Sequence, residues 1–290
     1  MRVYRTIFRI CCALVCAALT LPREAAAHPD REARLAILDQ RMAVDACDAA
    51  AWLTRGAVLR AYREWTAAGA AYDRAAACDP GSDAVVLARG ELALESGAPA
   101  VARTLLDRHL AARPDDVRAR RVRGRALLAL GQPDAAAVDF DGATARSARP
   151  EPDRYLERAR ALHAAGHSDE ALAGLDAGVA RLGPVPSLQQ MAVDVDVERR
   201  RWDAALARVE RAAQRAPDRE FWVLRRAEIL EMAGRTDEAR AAYLAARAAI
   251  AARAPQRRTL PAVHGLEQRI QAAVERLAGG EPDSGDGGIP

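Results

Sequence analysis

The strongest constraint in this sequence is a period. One skeleton of residues returns every 34 positions, once after 35, between Ala49 and Arg253. A first column runs Gly56, Gly90, Gly124, Ala159, Val193, Ala227. A second is alanine every time: Ala68, Ala102, Ala136, Ala171, Ala205, Ala239. One helical turn later comes a large apolar residue, namely Tyr72, Leu106, Phe140, Leu175, Val209 or Tyr243. The next column is small at Ala75, Ala143, Gly178, Ala212 and Ala246, with His109 the exception. Glycine stands between the two halves of the unit at Gly97, Gly131, Gly166 and Gly234. Pro80, Pro114 and Pro217 close their units in register, whereas Pro150, Pro184 and Pro255 come slightly late.

Such columns describe paired helices. Two antiparallel helices approach to about 8–9 Å only where small residues meet at the crossing. Gly56 and Ala68 are the candidates for that contact, with Tyr72 filling the gap toward the next unit. No single pair can bury its apolar face alone, so stability must come from stacking. The composition agrees: hydrophobic content is 50% with only 4% aromatic. The apolar mass is therefore mostly Ala, Leu and Val, which suits helices better than sheets.

The pattern resembles the tetratricopeptide repeat family, over six repeats: 49–82, 83–116, 117–150, 152–185, 186–219 and 220–253. The resemblance implies an all-α, right-handed superhelical solenoid of stacked antiparallel helix pairs. The fifth repeat departs most, with Val193 at a small position and Arg200 where a turn glycine is expected. The third has Ala148 in place of the closing proline.

The flanks complete the organisation. Residues 28–48 carry Leu35, Ile37, Leu38, Met42 and Val44, most of them on one helical face, as a capping half-repeat would. After Ala254 a stripe of Leu260, Val263, Leu266, Ile270, Val274 and Leu277 predicts a C-terminal capping helix over 254–278. The Gly-, Asp- and Pro-rich tail, 279–290, is expected to be disordered.

The N-terminus reads as a secretory signal peptide, residues 1–27. Arg2, Arg5 and Arg9 precede the apolar run from Ile10 to Leu21, and Ala25–Ala27 is a small-residue cleavage site that predicts a mature start at His28. The alternative is an uncleaved anchor, but the run is short for a transmembrane helix. This segment holds four of the 43 basic residues and one of the 40 acidic ones, so the remainder carries no net charge. A global attraction to nucleic acid or to anionic membrane is therefore not expected. The expected location is the periplasm or the exterior, without stable membrane insertion after cleavage.

Two cysteines remain after the signal, Cys47 and Cys78. They stand at near-equivalent ends of neighbouring stacked units. In an oxidising compartment they can form a disulfide; two helix-end residues too far apart to bridge are the alternative.

In the family, the first helix of each repeat lines a concave groove that takes extended peptides. Carried onto this register, the resemblance implies groove residues Leu53, Ala57 and Arg60, then Leu87, Glu91, Leu94 and Glu95. Arg118, Arg121, Arg125 and Leu128 follow, then Leu156, Arg160 and His163. The triplet Arg118, Arg121 and Arg125 shares one helical face and could grip a carboxylate or phosphate. The competing reading is an ion pair between repeats, with Glu91 or Glu95 neutralising Arg121 or Arg125. Some family members hold a partner's terminal carboxylate with Lys, Arg and Asn; this chain has neither Lys nor Asn, so that clamp is not expected.

Catalytic and metal chemistry have thin support. There is no phosphate-cradling glycine loop, nucleophile elbow or zincin motif, and no cofactor or enzymatic activity is expected. His163 and His167, with Asp169 nearby, have metal-ligand spacing, but Gly166 should end the helix between them. His28 could chelate copper only as a free N-terminus. The leading expectation is a scaffold for protein–protein interaction through the groove. The alternatives are a structural subunit of an envelope or secretion assembly, bound through the convex face or the Leu260–Leu277 stripe, and a metal- or small-ligand-binding protein.

Overall fold

A computed structural model describes residues 29–146, 151–216, 219–251 and 261–278. The signal segment, His28, Ala148, Pro150, Pro217, Pro255, Leu260 and the tail 279–290 lie outside them. Every regular element among the described residues is an α-helix: α1 (Pro29–Val44), α2 (Ala49–Ala61), α3 (Trp65–Cys78), α4 (Asp83–Glu95), α5 (Pro99–Ala112), α6 (Val117–Ala129) and α7 (Pro133–Ala145). Then follow α8 (Pro152–Ala164), α9 (Ser168–Leu182), α10 (Pro186–Glu198), α11 (Trp202–Arg215), α12 (Arg219–Met232), α13 (Thr236–Ala251) and α14 (Pro261–Ala278). From α1 to α4, and again from α6 to α14, each helix packs on the next, as in a helical solenoid. It divides into two compact units, residues 1–105 and 106–290, with the division inside α5.

The turn inside each pair is the most uniform feature. Arg63, Gly97, Gly131, Gly166, Arg200 and Gly234 all adopt a left-handed conformation, with φ between 55° and 86°. Behind each, the same backbone bond closes the turn: the residue after the left-handed one donates its N–H to a carbonyl five residues back. These bonds run Glu64 to Leu59, Ala98 to Ala93, Gln132 to Leu127, His167 to Leu162, Arg201 to Asp196 and Arg235 to Leu230, at 2.7–2.9 Å. This is the helix-ending bond pattern that glycine serves best. Arg63 and Arg200 make the turn without glycine, so Arg200 fills the turn position in the fifth repeat despite its side chain. Helix starts are specified locally. Asp48 and Asp116 accept from the N–H of Ala51 and Ala119. Pro133, Pro152 and Pro186 occupy first-turn positions, where no N–H is needed.

In the first unit, Leu38, Ala51 and Val58 form one core with Leu35 and Met42 beside it; Leu59, Ala68 and Ala71 form another with Trp52 and Leu92. Ile37 and Val44 face outward. Cys47 and Cys78 are bridged as a disulfide, Cα to Cα 5.3 Å, tying the α1–α2 loop to the end of α3. The ring of Tyr72 lies against Gly56 of its own pair. The closest approach to Gly56 is thus made by the aromatic ring of Tyr72.

In the second unit the same rule holds at Gly124 under Phe140. The fifth repeat inverts it: Val193 is fully buried in the same cluster as Val209, the smallest of the large-column residues. Volume is exchanged across the pair, so Val193 needs no small neighbour of its own column. All six column alanines, Ala68 to Ala239, have no exposed surface. His109, the outlier in the next column, is buried with Nε2 2.8 Å from Oδ2 of Asp116. The C-terminal helix turns Ile270 and Ala273 into a core with Leu224, Tyr243 and Ile250, and Leu266, Val274 and Leu277 pack beside them. The described part of the stripe, from Leu266 to Leu277, joins the core of α12 and α13.

Candidate peptide-binding groove

The first helices of successive pairs are joined side by side through charged residues. In the first unit, Arg60 of α2 meets Glu91 (3.0 Å) and Glu95 (2.5 Å) of α4. Leu53 and Leu94 are half-buried, and Leu87 is buried in the core.

In the second unit the ladder runs through α6, α8, α10, α12 and α14. Arg121 and Arg125 both turn to one carboxylate, Glu157 of α8. Arg121 Nε lies 2.8 Å from Oε2, and Arg125 Nε 2.6 Å from Oε1. Glu157 is 8% exposed and holds the Arg121 guanidinium above its usual pKa, mainly through the hydrogen bond. An ion pair between repeats is thus present at Arg121 and Arg125, which reach forward to α8. Arg118 is exposed on the same helix. Nε2 of His163 lies 2.7 Å from Oε2 of Glu198 of α10, and its Nδ1 2.8 Å from Oγ of Ser168. Asp194 of α10 accepts from Arg225 of α12 (2.5 Å). Glu228 and Glu231 accept from Arg269 and Arg276 of α14.

Between α8 and α10 this face opens into a cavity of about 460 Å³. Leu156, Met191 and Val195 supply its apolar lining; Arg160, Gln190 and Glu198 stand among its polar residues. Leu156 is therefore both core and cavity wall, and Leu128 packs against the same core.

The metal-spaced histidines are not brought together. Gly166 ends α8 as its sequence indicates. His163 points at Glu198, His167 stands 3.3 Å from Asp134, and Asp169 binds Arg199 and Arg201. No group of three His, Cys, Asp or Glu side chains that could hold a metal ion occurs among the described residues. Nor is any helix among them long and apolar enough to cross a membrane.

The sequence also holds a column that the groove reading passed over. Arg55, Arg89, Arg123 and Arg158 recur at the repeat spacing, and each binds an acid on the preceding second helix: Asp39, Asp73, Asp107 and Asp141. Arg123 also forks onto the buried Asp139, at 2.6 and 2.7 Å. The signal was available, because both columns keep the period of the alanines.

A model of the family described as Tetratricopeptide repeat matches residues 87–152 and 191–256. In those stretches the chain belongs to the tetratricopeptide repeat family. Solved structures of the same fold include a tetratricopeptide repeat protein from Parabacteroides merdae, 16% identical, which covers 83% of this chain and 90% of its own at a TM-score of 0.53. Pseudomonas aeruginosa pilF is also 16% identical, with 77% and 96% covered and a TM-score of 0.54. At this identity the likeness is one of fold. No curated protein sequence matches the chain. Tetratricopeptide repeat proteins are in general scaffolds for other proteins rather than enzymes, and the groove described above lies on the first helices of the repeats.

Proposed function

We propose that this tetratricopeptide repeat protein is an exported scaffold that holds an extended segment of a partner protein on the first-helix face of its second unit. The observation that carries the reading is the cavity between α8 and α10. It is open, partly apolar at Leu156, Met191 and Val195, and rimmed by polar groups that can fix a peptide's orientation. Arg121 and Arg125 are engaged with Glu157 and are not among the residues that line this cavity.

Ala164 and Ser187 are exposed on the cavity wall, where bulk can be added without touching the core. Ala164→Arg with Ser187→Trp should abolish partner capture by in-cell crosslinking while leaving the melting temperature unchanged. Capture that survives both changes places the binding surface elsewhere. Export rests on the signal pattern of residues 1–27, and the Cys47–Cys78 pairing supports it, because structural disulfides persist in oxidising compartments. Fractionation of cells expressing the tagged full-length chain tests it: a chain found with the cytoplasm, with both thiols free, removes that part of the proposal.

A further inference from the structure

Arg125 and Arg160 occupy the same position in successive repeats, one residue after Gly124 and Ala159. The same column then changes sign, to Asp194 and Glu228. The two ends differ in how they are neutralised. Asp194 is held by Arg225, and Glu228 by Arg225 and Arg269. Arg160, which lines the cavity and is exposed, has no ion pair among the described residues. Arg125 shares one carboxylate, Glu157, with Arg121 and remains half-exposed. Arg121 also lies 3.9 Å from Glu151, so the α6 pair has two acids near it. Among the described residues, the charge left without an ion pair beside the apolar part of the cavity is thus Arg160 of α8, and none of comparable kind stands at α10.

From this we infer that the groove selects peptide segments in which an aspartate or glutamate stands within two residues of a leucine, methionine or phenylalanine. This rests on the groove reading above and adds the chemistry of its occupant. The apolar side chain enters against Leu156, Met191 and Val195. The carboxylate meets the guanidinium of Arg160, whose planar fork matches two oxygens at once. A basic residue there is repelled by Arg160. Any acid facing it at α10 is already taken by His163 or Arg225.

The test is a fluorescent decapeptide set presented to the full chain. Two central positions vary: one acidic, basic or neutral, the other Leu, Met, Phe or Ala. Acidic–apolar members should bind about tenfold tighter than basic–apolar ones, the worth of one charge-assisted contact. Arg160→Gln should remove the acidic preference and keep the apolar one; the residue is exposed, so the fold should be unchanged by circular dichroism. Equal binding of acidic and basic members, or a preference that survives Arg160→Gln, overturns the inference. The groove reading then still stands if Ala164→Arg abolishes binding. If no member binds, or if Ala164→Arg has no effect, the groove reading falls and takes the inference with it.

Discussion

A Cβ added to Gly56 would stand 2.2 Å from Cε1 of Tyr72, inside the ring's contact surface. Gly124 stands in the same relation to Phe140, at 2.8 Å. Each ring is fully buried or nearly so and has no room to retreat. Gly56→Ala should therefore destabilise the first unit by about 1–3 kcal/mol, the usual cost of overpacking. The double change Gly56→Ala with Tyr72→Leu should recover part of that loss, since the fourth repeat pairs Ala159 with Leu175. Urea titration checks both; equal loss in the single and double variants contradicts the volume exchange.

Glu157 is the one carboxylate that both Arg121 and Arg125 reach. Glu157→Gln keeps the shape and removes the charge. Stability should fall by about 2 kcal/mol, within the range for hydrogen bonds to charged groups, because Arg121 is left partly buried without its anion. Denaturant unfolding of the variant reads this directly. No change would mean that water replaces Glu157 at no cost.

The disulfide encloses a sequence separation of 31 residues. Reduction, or Cys47→Ser, should cost roughly 3–4 kcal/mol by the chain-entropy argument. The loss should be confined to α1 and the start of the repeats, where amide exchange would quicken first. Two titratable thiols in denatured protein purified without reductant would show the bridge is not made.

Asp116 has a pKa below the ordinary carboxylate value. Burial acts to raise it, but the Ala119 N–H and His109 together outweigh burial. A depressed folded-state value means that the unfolded chain takes up its proton first as pH falls. Stability from this group is thus complete above about pH 4 and is lost below it, through the folded pKa. Asp116→Asn should lower stability at pH 7 and flatten the acid limb of the stability–pH curve. A parallel curve, merely shifted down, would rule out this source of acid sensitivity.

Sequence and structure agree best where a residue's own column carries the information. The six alanines at the crossing and the glycine that separates His163 from His167 are local facts. The partner of Arg121 was not local. Glu91 and Glu157 lie on first helices one repeat to either side, and spacing alone does not say which way an arginine leans. Val193 looks like a defect within its own column; only its burial beside Val209 shows the exchange of volume. Arg63 was invisible as a turn residue because arginine carries no conformational signature, and its left-handed φ is imposed by the two helices it joins.

The Arg–Asp column sets a rule of succession for the repeats. Four consecutive first helices carry the arginine that the preceding second helix's aspartate requires. At the fifth repeat the arginine is replaced by Ala192, and Asp176 is met by Arg208 from α11 instead. The early repeats are thus mutually interchangeable at their junctions, like links of one gauge. The fifth carries its own connector, and a lineage that lengthened or shortened this array could add or drop links before it far more freely than it could move that one.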